Sequence, residues 1–291
     1  MSSPVTCRFR VRHYELDALG HLNNAVYVQH MQEAAIEGST RAGYAPDWYR
    51  QRGTAWVIRR LTVRYLREVL YGDEIEIATW VSQMRGVSSN REYDLTRTSD
   101  GARVARARAQ WVYVDLAKGT PIRFPPEFTA AFTPAGEVED IDVRIQKATP
   151  TDGAHRYRYR RRVQFHELDT AQRVNHACYL QWIGQAYFEA MREAGYVLER
   201  SRREGWLIVQ GGHDIEYHAP ALDNDEIEIV SWVCELGKVR GAWTHEIYNT
   251  ATGKLLARDY SLGVFVTPEG RPTTLPQQAI DSVLGPRGGN S

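Results

Sequence analysis

Tyr14-Glu15-Leu16-Asp17-Ala18-Leu19-Gly20-His21-Leu22-Asn23-Asn24-Ala25-Val26-Tyr27 is the segment from which the architecture can be read. It holds a carboxylate, then turn formers, then an asparagine in the position of a helix cap. Beyond it, Val28, Met31, Ala35 and Ala42 recur at spacings of three, four and seven, which predicts a helix with one inward face that ends near Gly43. Asn23 or Asn24 is the expected N-cap. Before it, Arg8 to Tyr14 reads as a short strand. Downstream the period changes to two. Ile75, Ile77, Thr79 and Val81 share one face and Glu74 and Glu76 the other, and further strands are expected at Trp56 to Leu66, Val87 to Thr98 and Val104 to Val114.

The whole pattern then returns. Glu15-Leu16-Asp17 recurs as Glu167-Leu168-Asp169, 152 residues on, and the same offset carries Asn23 to Asn175, Tyr27 to Tyr179, Gly43-Tyr44 to Gly195-Tyr196 and Tyr65 to Tyr217. Asp73-Glu74-Ile75-Glu76-Ile77 returns as Asp225-Glu226-Ile227-Glu228-Ile229, and Val112 and Val114 return as Val264 and Val266, with no gap. One register held over a domain's length means duplication of one module. In the second copy Arg158 to His166 is the first strand, and Leu180, Ile183, Tyr187, Met191 and Ala194 mark the helix face. A helix followed by a run of antiparallel strands buries itself on one sheet face, so each copy is α+β. The expected boundaries are 1–133 for the first domain, 134–155 for a connector rich in proline, glycine and acids, 156–268 for the second domain, and 269–291 for a tail whose last residues fray.

Composition narrows the class. With 43% hydrophobic and 25% charged residues the chain is an ordinary globular one, and 36 basic against 36 acidic residues leave no excess for nucleic acid or an anionic membrane. Cys7, Cys178 and Cys234 form no CxxC pair and have no metal-type spacing with histidines, so a reducing cytoplasm is expected. The first residues lack an apolar core of the signal-peptide kind, and no segment nears the ~20 apolar residues of a membrane span. His166, His176, His213 and His218 match no metal motif, and no G-x-S-x-G, Walker or G-x-G-x-x-G pattern occurs.

Two readings of the opening segment stand side by side. In one, Asp17, Gly20 and Asn24 are turn and cap residues only. In the other, Asp17 attacks a carbonyl or activates a water, the free amides of Ala25, Val26 and Tyr27 hold the developing oxyanion, and His21 and the asparagines orient the carboxylate or the water. Asn175 and Tyr179 occupy the matching places in the second copy. The aromatic rings of Tyr27 and Tyr179 line a pocket or simply pack the core.

The string Asp-x-x-Gly-His-x-Asn-Asn-x-x-Tyr, followed by Glu33 on the first turns of the helix, resembles the signature of the 4-hydroxybenzoyl-CoA thioesterase-like branch of the hotdog superfamily. It is also similar to the catalytic segment of acyl-carrier-protein thioesterases. The resemblance runs from about Arg8 to Val114 and again from about Arg160 to Val266. It implies a double hotdog, each half an antiparallel sheet of about five strands wrapped around a long helix. The halves would join as a pseudo-dimer within the chain, with acyl-thioester pockets at the seam, and further homodimerisation stays open. It implies a cofactor-independent hydrolase of acyl-CoA or acyl-ACP, with no metal, in which Asp17 is the catalytic aspartate and His21, Asn23 and Glu33 are supporting polar groups. Leu19 stands where the acyl-carrier-protein branch has a working asparagine, which favours a mechanism centred on Asp17. In the second copy Asp169 and Asn175 remain, but Arg173 replaces the histidine and Gln185 the glutamate, so that site is altered or silent. Ser88 and Ser89, with Arg85 and Arg91, are expected to meet the pantetheine arm and phosphates of CoA. The alternatives are a non-catalytic acyl-CoA-binding protein and a hotdog dehydratase or hydratase, whose usual histidine patterns are absent.

Overall fold

The computed structural model describes residues 4–134, 138–145, 149–151 and 153–285. Gly136 of the expected connector and residues 286–291, expected to fray, lie outside them. The chain divides into two compact units, Met1–Asp142 and Val143–Ser291.

In the first unit the elements are β1 (Val5–Arg10), α1 (Asn24–Arg41), α2 (Pro46–Gln51), β2 (Thr54–Tyr65), β3 (Glu74–Arg85), β4 (Ser88–Arg97), β5 (Arg103–Asp115), the two-residue β6 (Thr120–Pro121) and α3 (Glu127–Ala131). The main strands are antiparallel in the order β1-β3-β4-β5-β2, with β6 paired to β5. Ile75, Ile77, Thr79 and Val81 are all buried, as their alternation requires. They share the interior with Tyr27, Val28, Met31 and Ala34 of α1. The inward face of α1 runs through Ala34 and Gly38, not through the expected Ala35 and Ala42, which are half-buried.

The second unit repeats this plan: β7 (Thr149–Pro150), β8 (Tyr157–Arg162), α4 (His176–Glu193), α5 (Leu198–Arg203), β9 (Leu207–Tyr217), β10 (Glu226–Leu236), β11 (Arg240–Asn249), β12 (Leu255–Val266) and α6 (Gln277–Leu284). Its main strands run β8-β10-β11-β12-β9, and β7 also pairs with β10. Two features depart from the sequence reading. The first strands stop at Arg10 and Arg162, because His13–Glu15 and Phe165–Glu167 form 3-10 turns. Each turn is closed by its glutamate, which accepts the backbone N–H of Arg12 or Gln164 at 2.8 Å. The tail is not a simple appendage either, since α6 buries Ala279 and Val283 against Met191, Trp206 and Trp243. Among the described residues no helix is long and apolar enough to cross a membrane.

Candidate functional site

The loop before α1 is built around Asp17. Its N–H donates to the His21 carbonyl at 2.8 Å, and its carbonyl accepts from Gly20 N–H at 3.0 Å. Gly20 sits at φ 85°, a backbone state that side chains resist. The carboxylate folds back over the loop, so that Oδ1 accepts N–H groups from Leu19 at 2.8 Å and His21 at 3.1 Å. Asp17 stays half-buried, close to the mouth of α1. Asn23 is the N-cap, its Oδ1 accepting Ala25 N–H at 2.9 Å. Tyr65 fastens the helix start from the sheet, donating its hydroxyl to the Asn24 carbonyl at 3.0 Å, and Tyr217 does the same to His176 at 3.1 Å. The sequence showed these tyrosines only as repeated positions.

Several expected roles change once the atoms are placed. The Ala25 amide is taken by Asn23, and by Asn24 Oδ1 at 3.1 Å, while Val26 N–H donates to the Asn23 carbonyl at 2.9 Å. Only Tyr27 N–H, whose bond to the same carbonyl is 3.4 Å long, is loosely held among these three. The His21 ring turns to Glu68, 3.2 Å from Nε2, so His21 orients Asp17 through its backbone and not through its imidazole. Tyr27 and Tyr179 are buried core rings packed edge-on against Tyr65 and Tyr217, and the Tyr179 hydroxyl accepts Ala221 N–H at 2.9 Å.

Glu33 is separated from the Asp17 loop. Ten residues past the cap, it lies about 15 Å along α1 at 1.5 Å per residue. It belongs to a cleft of about 680 Å³ that includes Arg10, Arg12, His30 and Tyr71 and does not include Asp17. His30, not singled out from the sequence, stacks on Phe9 at 4.5 Å and approaches Glu15 at 3.8 Å, and burial lowers its pKa. At the matching place in the second unit, Glu167 is satisfied by Arg161 at 2.6 Å and by Trp182 Nε1–H at 2.8 Å.

The second loop keeps the frame. Asn175 caps Ala177 at 2.9 Å, and Asp169 Oδ1 accepts Ala171 N–H at 2.8 Å. Burial pushes the Asp169 carboxyl above its ordinary value, against the backbone N–H groups of Ala171 and Arg173 that favour the charge. Gln172 now occupies the position of Gly20, at φ 57°. A side chain held in the left-handed region costs roughly 1 kcal/mol. Gln172→Gly is therefore expected to stabilise the second unit by about that amount, read as a higher urea midpoint with an unchanged slope. Gln185 bonds to Glu189 at 2.8 Å on the surface of α4.

The residues expected to meet CoA do not form one surface. Arg85 is exposed and Ser88 is half-buried at the β3–β4 turn, where the serine donates to the Arg85 carbonyl at 3.2 Å. Ser89 and Arg91 are buried and face inward, away from the exposed turn surface that holds Arg85. Among the described residues no group of three or more histidine, cysteine, aspartate or glutamate side chains could hold a metal ion.

Comparison with known proteins finds the same duplication. The family model described as the thioesterase-like superfamily matches residues 11–132 and again 163–284. An acyl-[acyl-carrier-protein] hydrolase of Cuphea viscosissima is 26% identical over 187 residues, covering 60% of this chain and 45% of that protein. The chain thus spans less than half the length of that curated relative. The long-chain acyl-CoA thioesterase FadM of Escherichia coli (strain K12) is 28% identical over 109 residues, 38% of this chain and 82% of FadM. The solved structure of a 12:0-ACP thioesterase from Umbellularia californica superposes with a TM-score of 0.70 at 18% identity, over 89% of this chain and 96% of that one. The likeness to that structure supports the fold alone.

Proposed function

Because the chain belongs to the thioesterase-like superfamily, with the hotdog fold in two tandem copies, we propose that it hydrolyses acyl thioesters, and that Asp17 is the group that drives attack on the carbonyl. The observation that carries this reading is the Asp17 loop itself. Two backbone N–H groups hold one carboxylate oxygen and fix the side chain at the opening of an 18-residue helix. As general base, Asp17 takes a proton from water while the water oxygen bonds to the thioester carbon. The carbon–sulfur bond then breaks and the thiolate leaves with a proton, giving acid and thiol. As nucleophile, Asp17 would form an anhydride that water resolves to the same products.

The positive end of the α1 dipole and the loosely bonded Tyr27 N–H support the oxyanion in place of the Ala25 and Val26 amides. Neither a metal nor an organic cofactor is needed. The Asp169 site, with Gln172 and Arg173 in its loop and a carboxyl that burial shifts toward the neutral form, is the weaker of the two. The relatives' names include both acyl-CoA and acyl-ACP hydrolases, so carrier choice is tested directly. Thiol release is measured with a panel of acyl-CoAs and with the same acyl groups on acyl carrier protein. Release from neither carrier across the panel would sink the reading. A second reading, a non-catalytic acyl-CoA binder, draws on the occupied amides of Ala25 and Val26. Saturable binding without thiol release would select it.

A further inference from the structure

Arg91 is only 9% exposed, and its guanidinium lies between the sheet and α1. Its Nη1 donates to Thr79 Oγ1 at a long 3.4 Å, and it forms no ion pair among the described residues. A buried arginine without a counter-charge is rare, because taking the cation out of water is costly unless something anionic meets it.

The guanidinium fills a gap that side chains on α1 and β5 would otherwise close. A Cβ at Gly38 would stand 3.2 Å from Arg91 Nη1, so the glycine in mid-helix, unfavourable there by about 1 kcal/mol against alanine, is what lets the guanidinium in. Ala109 pairs with Arg91 across β4 and β5, and with the buried Ala105 and Ala107 it gives this sheet face little side-chain volume. The duplication supplies an internal control. In the second unit the places of Arg91, Gly38 and Val5 hold Trp243, Ala190 and Tyr157, which pack together as an ordinary apolar cluster. The first unit has a cation and a vacated Cβ where the second has an indole.

Gly38 is fifteen residues past the Asn23 cap, about 22 Å along α1 at 1.5 Å per residue. That is far from the Asp17 loop, so the anion is not the reacting carboxyl. Nor is it a carrier phosphate, which is tethered to a nucleotide or a protein too large for a buried position. We propose that Arg91 anchors a carboxylate at the far end of the acyl group, so that the first unit selects long ω-carboxyacyl thioesters. This rests on the thioesterase reading for its substrate, but the binding step can be tested without turnover.

The full chain is titrated calorimetrically with hexadecanedioate and with palmitate, and thiol release is compared for hexadecanedioyl-CoA and palmitoyl-CoA. Hexadecanedioate is expected to bind at least about tenfold tighter than palmitate, as a charge-assisted contact implies. Arg91→Met should erase that preference and Arg91→Lys should keep part of it, whereas Arg50→Met, an exposed position on α2, leaves the ratio as it was. Gly38→Ala, which presses on the guanidinium, is the second variant should Arg91→Met fail to fold, and it should reduce the preference too. Equal binding of the two acids by the native chain, or a preference untouched by both variants, overturns the proposal. Loss of thiol release from both thioesters with the binding preference intact would count against the hydrolase reading and leave the carboxylate site standing.

Discussion

Asp17→Asn is expected to lower kcat/KM for acyl-thioester hydrolysis by about a thousandfold while leaving the protein folded. The substitution separates charge from architecture. An asparagine Oδ1 can still accept the Leu19 and His21 N–H groups now held at 2.8 and 3.1 Å, so the loop keeps its shape. What disappears is the ability to take a proton or to form a bond to the carbonyl carbon. Thermal midpoints within a degree or two of the native chain, together with the collapsed rate, would identify the carboxylate as the acting group. Asp169→Asn should have a far smaller effect, because that loop carries Gln172 at φ 57° and a carboxyl whose charged form burial disfavours. If Asp17→Asn kept native turnover, or if Asp169→Asn abolished it instead, the assignment to the first loop would be wrong.

The parts of this molecule that sequence made legible are those governed by period and repetition. The alternation Ile75, Ile77, Thr79, Val81 needs only a pleated strand with one face buried, and Asn23 and Asn175 announce their caps by type and place. Arg91 was legible too, although the turn nearby suggested a phosphate contact. Ser89, Arg91, Tyr93 and Leu95 share one face of β4, and that face points inward. The rest depends on atoms that residue types do not place. An asparagine at a cap does not say which amide it occupies, so the engagement of Ala25 could not be read in advance. Similarly, spacing does not distinguish a histidine that faces the aspartate four residues before it from one that, like His21, faces a glutamate on another loop. Glu33 shows the limit of motif spacing, since helix rise alone carries it away from the loop it follows and into the cleft beside His30.

Acidification from pH 6.5 to about 4 is expected to remove about 3 kcal/mol of stability from the second unit through one side chain, His245. This imidazole is fully buried on β11, its Nδ1 2.8 Å from the Ser231 hydroxyl of β10, with Trp243 stacked beside it at 6.2 Å. Burial pushes its pKa down to about 4. Asp259 on β12 works against that shift, and His213 on β9 adds to it. An unfolded histidine titrates near 6.5, so over this window the unfolded chain binds a proton that the folded one refuses. The stabilisation is therefore complete above pH 6.5 and is lost as pH falls toward 4, at about 1.4 kcal/mol per pH unit. Native-state hydrogen exchange of the β11 and β12 amides, followed between pH 7 and 4, reads this locally without requiring the two units to unfold together. His245→Gln retains an acceptor for Ser231 but does not titrate, so its exchange free energies should start lower at neutral pH and then fall less steeply. Tyr93 takes the place of His245 in the first unit, but His30 there is itself a buried imidazole with a lowered pKa, so the reference slope is that of the His245→Gln chain. An equal acid slope in the native and His245→Gln chains would show that the imidazole is already protonated in the fold, and the neutral Ser231–His245 contact would have to be abandoned.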